Sequence, residues 1–198
     1  MKISLGAEAL AIPSPVWVVG SYGSNEQPNI MVVAWGAICC TTPPCISISV
    51  KKTRATYANI MDHGAFTISV PSRDHLVETD FAGMVSGITA DKFSASGLTA
   101  AHSTVVNAPY VQDFPLILEC QLLHMLDIGS HTQFIGQILD VKADEHTLGE
   151  NGLPCAQKID PLIGSACERA YYALGEYLEE TRLLGGSLLE PQLEEEND

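Results

Sequence analysis

Lys51, Lys52 and Arg54 place three of the chain's ten basic residues within four positions. The whole chain carries a net charge of −14, so this positive charge is a local concentration. The hydroxyls of Thr53 and Thr56 stand among them. A helix start offers unpaired N–H groups and a partial positive charge. Lysines, hydroxyls and a helix start together would suit a phosphate. A solvated basic turn is the competing reading, and these residues by themselves fit it equally well.

The elements that would position these groups are legible on either side. Ile46, Ile48 and Val50 alternate with Ser47 and Ser49, the period of a strand with one buried face. Arg54 to Met61 reads as a helix with Thr53 as its N-cap and Gly64 as its stop. Upstream, residues 16–22 and 29–35 read as two strands around the turn 23–28. Residues 36–44 read as a break, since Pro43 and Pro44 cannot donate to a ladder. Downstream, residues 65–70 form a strand, and 73–84 a helix with Leu76, Val77 and Phe81 on one side. Residues 94–109 read as irregular. Residues 114–127 and 131–144, turning at Gly129 and Ser130, make the clearest hairpin. Six or more strands with antiparallel connections and a few helices predict a small barrel or sandwich. Neither a G-x-G-x-x-G turn nor a G-x-x-x-x-G-K-[ST] loop is present, so the classical nucleotide folds are not indicated.

Bulk properties narrow the function classes. The 198 residues are enough for one domain with a substantial core. The acidic balance argues against a nucleic-acid or anionic membrane surface. No apolar run approaches the roughly 20 residues of a membrane helix, and residues 1–8 lack the core of a signal peptide, so a cytoplasmic location is expected. Cys39, Cys40, Cys45, Cys120, Cys155 and Cys167 show no zinc spacing. No metal is expected, and the cysteines read as small buried hydrophobes kept reduced. A redox thiol at Cys39 or Cys40 is the minor alternative. His63, His75, His102 and His146 read as surface residues.

Several segments, taken in order, resemble the flavin reductase-like family and within it the flavoredoxin group. They are residues 29–35, Pro43-Pro44, residues 47–57, residues 66–71, Ser86-Gly87 with Asp91-Lys92-Phe93, Leu118-Glu119-Cys120, His131 with Phe134-Ile135-Gly136, and Tyr171-Tyr172. The ordered set spans roughly residues 10 to 175. The resemblance implies a mainly β (α+β) fold, a six-stranded antiparallel Greek-key FMN-binding split barrel with added helices. It implies a homodimer with FMN near the subunit interface. It also implies electron transfer from NAD(P)H or a protein donor to a flavin, a ferric complex or a similar acceptor. An FMN-binding carrier or sensor without its own reductase activity is the alternative. Residues 1–175 would form the flavin domain. Residues 176–198, with a net charge of −7, would form a mobile acidic tail, in which Leu183, Leu184, Leu188 and Leu189 could dock on a partner.

The resemblance assigns the FMN phosphate to Lys51, Thr53 and Thr56, with Lys92 as a second charge. Ser86 and Gly87 would approach the ribityl chain or phosphate. Met31, Val32, Val33, Ala34 and Trp35, with Cys39, Cys40 and Thr41 beyond, would face the ring through their main chain. Tyr57, Phe93 and His131 complete the implied cofactor set, His131 near the ring's edge. Trp35 reads first as a core or interface residue and only second as a flavin stacker, and one of Tyr171 and Tyr172 is expected to face the site. Hydride transfer to a flavin requires no acid–base residue, so no catalytic side chain is nominated. Many flavoredoxin-like chains have a cysteine shortly before the Ser-Gly pair. This chain has Phe81-Ala82-Gly83-Met84 there, so a mechanism through that thiol is not expected.

Overall fold

The alternation at Ile46 to Val50 becomes a strand with its isoleucines and valine fully buried in the computed structural model, which describes residues 1–181 and 183–188. Seven strands form the main sheet. They are β1 (Trp17–Tyr22), β2 (Pro28–Val33), β3 (Gly36–Thr41), β4 (Pro44–Lys51), β5 (Ala65–Val70), β6 (Leu116–Ile128) and β7 (His131–Ala143). Their order is β2-β1-β5-β6-β7-β4-β3, every pairing antiparallel. The two end strands, β2 and β3, are joined by Ala34 and Trp35 alone, so the sheet curls round to bring its ends together, and the Ser49 amide of β4 donates to the Trp35 carbonyl just ahead of β3 at 2.9 Å. The expected barrel is thus present, with seven strands in place of six.

The additional strand is β3, where a break was expected. It pairs with β4 from Gly36↔Ile48 to Thr41↔Pro44, with a register shift between Ile38 and Cys40. Pro43 sits in the turn, and Pro44 opens β4 opposite an edge strand, positions where a missing N–H costs little. Ile38, Cys39 and Cys40 are exposed. Cys39, Cys40 and Cys167 are therefore not the buried thiols expected; only Cys45 and Cys120 are buried.

Inside the barrel, Val33, Ile46, Ile48, Val50, Phe66 and Phe134 pack with Ile60 of helix α1 (Ala55–His63). Each such side chain removed from water contributes about 1.5–3 kcal/mol. A second core lies on the other face of β1 and β2. There Val18 and Ile30 meet Ala82 of helix α2 (Leu76–Met84) and Phe93 of the short helix α3 (Lys92–Ser96), over Phe114 and Ile117. Both faces of β1 are thereby buried, as Val18 and Val19 show.

Helix α2 rotates away from the expected face. Thr79 and Ala82 are buried, whereas Val77 is exposed and Leu76 only partly covered. The second core fills the space with Phe93, Leu98 and Val111, so α2 need only present small residues. Residues 94–109 are more regular than expected: they end α3 and include the strand Ala100–His102, paired with Pro109–Val111. Gly64 closes α1 at φ 63°, the left-handed region glycine adopts freely. Of the four histidines read as surface residues, three are partnered. His63 contacts the Gly23 carbonyl and Asn107, His75 contacts Ser72, and His102 contacts Tyr22.

The strands Ser14–Pro15, Ile163–Ser165 and Ala170–Tyr172 make a small side sheet. Residues 176–180 have no regular structure, and Leu184–Leu188 form a 3-10 turn. The expected mobile end, Glu194 to Asp198, and Leu189 lie outside the described residues, as does the side chain of Leu188. Among the described residues, no helix is long and apolar enough to cross a membrane.

Candidate functional site

Helix α1 starts without a side-chain cap. Its N-cap is Arg54, extended at φ −85° and ψ 141°. Thr53 was the expected cap. A turn in which the Arg54 amide donates to the Lys51 carbonyl at 3.0 Å takes up Lys52 and Thr53, and so starts the helix one residue later. Thr53 stays exposed in that turn. The first turn holds no acidic residue, so its N–H groups and dipole would meet an anion unopposed. Lys52 is diverted to an exposed ion pair with Asp127 at 2.8 Å, which leaves Lys51 and Arg54 for the site.

Two adjoining hollows share Met31 and Arg54. The smaller is a polar notch at the start of α1. Asn29, Thr56, Ser86, Gly87 and Lys92 line it. Lys92 is the unusual member. It is only 4% exposed, yet among the described residues its ammonium donates to one partner, the Ala82 carbonyl, at 2.7 Å. Burial, and then the charge of Arg54, pull its pKa down to about 8. A cation held out of water without a counter-charge is destabilised. A bound anion would relieve that cost. Asn29 spans the notch by donating to Thr56 Oγ1 at 3.1 Å. Gly87 lies against the Asn29 amide so closely that any Cβ there would overlap it.

The larger hollow is a slot along the free edge of β2. Met31, Val32, Val33, Ala34 and Trp35 form one wall, and Lys51 and His131 stand across it with Ser49 and Val50. Among the described residues, β2 pairs only with β1. Its other edge therefore presents main-chain N–H and C=O groups to whatever fills the slot. Lys51 and His131 are register partners on β4 and β7. The His131 ring lies 4.8 Å from the Trp35 indole, tilted by 53°. Trp35 is 44% exposed, so it belongs to the slot's rim and not to the core.

Other expected members lie elsewhere. Phe93 is buried in the second core. Tyr57 packs on the barrel core, its ring 5.5 Å from Phe134. Cys39, Cys40 and Thr41 lie on β3 and line neither hollow. Tyr171 and Tyr172 are both partly exposed. Tyr171 donates to Asp80 at 2.9 Å beside a separate cleft, and Tyr172 donates to Glu168 at 3.0 Å. Asn29, Ser49, Val50 and Arg54 join the hollows without having been named as site residues. Only Arg54 had left a signal, as part of the basic run.

The residues present fit a flavin mononucleotide. A buried ammonium, a guanidinium and an uncapped helix start suit the phosphate. The adjoining slot, walled by an open strand edge, suits a flat ring with hydrogen-bonding margins. Among the described residues, no cluster of metal-ligating side chains occurs.

Comparison with known proteins shows the family and the fold. Residues 9–164 match the flavin reductase like domain. The fold superposes on flavoredoxin of Desulfovibrio vulgaris (Miyazaki F) with a TM-score of 0.89 and 48% identity, covering 93% of this chain and 100% of that one. Flavoredoxin from Methanosarcina acetivorans gives a TM-score of 0.87 and 26% identity, over 95% of this chain and 98% of that one. A protein of Archaeoglobus fulgidus with no described activity is 30% identical over 116 residues, 59% of this chain and 66% of the other.

Proposed function

The chain belongs to the flavin reductase like family, and from that premise we propose that it is an oxidoreductase that holds FMN and passes reducing equivalents from NAD(P)H or a protein donor to an acceptor such as a flavin or a ferric complex. The observation that carries the choice of FMN is Lys92, a buried ammonium facing a notch that also holds Arg54 and the start of α1. When bound, FMN supplies hydride and electron transfer at its ring. Lys92, Arg54 and the first turn of α1 hold the phosphate. Lys51 and Thr56 flank it, and Ser86 and Gly87 let the chain approach closely. The edge of β2 orients the ring through main-chain groups, with His131 and Trp35 at the rim. A wider groove of about 610 Å³ continues past Ala34 and Trp35 toward residues 8–15. It is largely apolar and gives the donor or acceptor a route to the ring.

Purified holoprotein is expected to be yellow and to lose its flavin absorbance when NADH or NADPH is added without air. A yellow protein that neither nicotinamide bleaches would be a carrier supplied by another protein. A protein that takes up no FMN would refute the assignment. Gly87→Ala is expected to push the Asn29 amide off Thr56 and weaken FMN binding about tenfold, one displaced hydrogen bond of about 1.4 kcal/mol. Calorimetric titration measures this, and an unchanged affinity would contradict the role given to Gly87.

We further infer that two copies associate. Leu123, Met125, Leu126 and Ile128 are exposed apolar residues together on one half of β6, as an interface between copies requires. Sedimentation equilibrium should return twice the chain mass; a monomer at micromolar concentration would contradict it. Residues 1–175 are assigned to the flavin domain and 176–198 to an acidic tail. Six unbridged cysteines suit a cytoplasmic setting.

A further inference from the structure

The β3–β4 hairpin sets two cysteines directly opposite each other. Cys40 and Cys45 are register partners, one pair in from Thr41↔Pro44 at the turn. Directly opposed residues of antiparallel strands have Cα atoms about 4.5 or 5.5 Å apart, depending on the kind of pair. Both values lie inside the window of about 4.4–6.8 Å that a disulfide spans. The two thiols differ in access. Cys40 is exposed on the edge strand, whereas Cys45 is 3% exposed. Burial raises the pKa of Cys45, and the nearness of Cys40 and Cys39 raises it further, which places all three sulfurs within electrostatic reach. Cys39 has no residue opposite it, because the register shift between Ile38 and Cys40 makes it the extra residue of a bulge.

We propose that Cys40 and Cys45 form a reversible disulfide in which Cys40 is the attacking thiol and Cys45 the resolving one, with low-molecular-weight disulfides as the oxidant. Cys40 attacks such a disulfide, R–S–S–R, through its thiolate. A Cys40–S–S–R bond forms, the R–S–S–R bond breaks, and one R–SH leaves with the Cys40 proton. Cys45 then attacks Cys40 Sγ, giving up its own proton to the second departing R–SH. Two protein thiols are oxidised to one disulfide and one small disulfide is reduced to two thiols. A small dithiol reverses both steps. Access imposes the order, since a small disulfide reaches Cys40 from solvent and Cys45 only through Cys40. The product cross-links the exposed end of the sheet and fastens its edge strand.

The test is differential alkylation of the full-length holoprotein treated with oxidised glutathione. One reagent blocks free thiols, reduction follows, and a second reagent marks those released. Cys40 and Cys45 should acquire the second label together while Cys39 keeps the first, and dithiothreitol should restore the starting pattern. Cys40→Ser should abolish second labelling of Cys45. Cys45→Ser should leave glutathione attached at Cys40. Cys40 is exposed, so Cys40→Ser remains informative even if Cys45→Ser fails to fold. Amide hydrogen exchange in residues 36–41 should slow in the oxidised protein and return to its starting rate on reduction. Pairing of Cys39 with Cys40, glutathione persisting on Cys40 in the unmodified sequence, or no second label on Cys45 would each overturn the proposal.

Discussion

Replacing Lys92 by methionine is expected to weaken FMN binding by about 30- to 1000-fold, equivalent to roughly 2–4 kcal/mol, while leaving the stability of the FMN-free chain within about 1 kcal/mol. The two effects separate because, among the described residues, the buried ammonium has no counter-ion. Its hydrogen-bond partner is the Ala82 carbonyl, and methionine fills a similar volume. Fluorescence titration with FMN and urea unfolding of the FMN-free chain measure the pair. Equal affinity with and without the ammonium would show that the phosphate lies elsewhere.

The same lysine sets a pH dependence. Its pKa is about 8 when folded, against an ordinary value of about 10.4. Folding therefore favours the neutral form, and the FMN-free chain gains stability as pH rises from about 8 toward the unfolded value. Binding runs the other way. The phosphate requires the ammonium, so affinity should fall above pH 8, approaching tenfold per unit until the pKa of the bound form is passed. Below about pH 6 the phosphate itself loses a charge. Affinity should peak between these limits, and in Lys92→Met the alkaline fall should disappear.

Lys142→Met is expected to destabilise the fold by about 3 kcal/mol, which for a chain of this size lowers Tm by about 6–12 °C. Glu119 is completely buried on β6, and Lys142 of β7 forms ion pairs with it and with Asp140, the latter at 2.7 Å. Burial works against the charge of Lys142, but hydrogen bonds to Asp140 and Glu119 outweigh it and raise its pKa. That support is lost at the alkaline end as pH rises through the raised pKa of Lys142, and at the acid end as pH falls through the pKa of Asp140, which the hydrogen bond to Lys142 depresses. The magnitude is set at the low end for a broken buried pair because 35% of the Lys142 side chain is exposed. Adding Glu119→Gln should recover part of the loss, since the orphaned carboxylate causes most of it. Urea unfolding at pH 7 measures both. A loss under about 1 kcal/mol would mean that water already solvates Glu119.

The parts of the fold visible in the sequence are those with a single strong local signal. Ile46, Ile48 and Val50 alternate cleanly and are buried as expected. Residues 131–144 and their partner strand flank Gly129 and Ser130 and pair along their length. Gly64 ends α1 where a left-handed residue is required. β3 was hidden because an edge strand exposed along most of its length has no alternation, and Pro43-Pro44 imitate a break. The start of α1 was misplaced by one residue because capping preference favours Thr53 over Arg54, while the Lys51 turn decides otherwise. The buried face of α2 depended on Phe93, Leu98 and Val111, which reach it from later in the chain.

The site divides in the same way. The basic run announced Lys51 and Arg54, and the resemblance supplied Lys92, Ser86 and Gly87. Asn29 left no local trace, since its role is a hydrogen bond to Thr56, 27 positions away. The Glu119–Lys142 pair joins positions 23 apart across an irregular stretch of the β6–β7 ladder, a distance that no periodicity encodes.

The phosphate anchor is tested most directly by comparing FMN with riboflavin, which has the same ring and ribityl chain but no phosphate. Titrating the apoprotein with each at pH 7 should give an affinity for FMN at least about 100-fold higher, roughly 2.7 kcal/mol. Equal affinities would contradict the anchor at Lys92 and the start of α1.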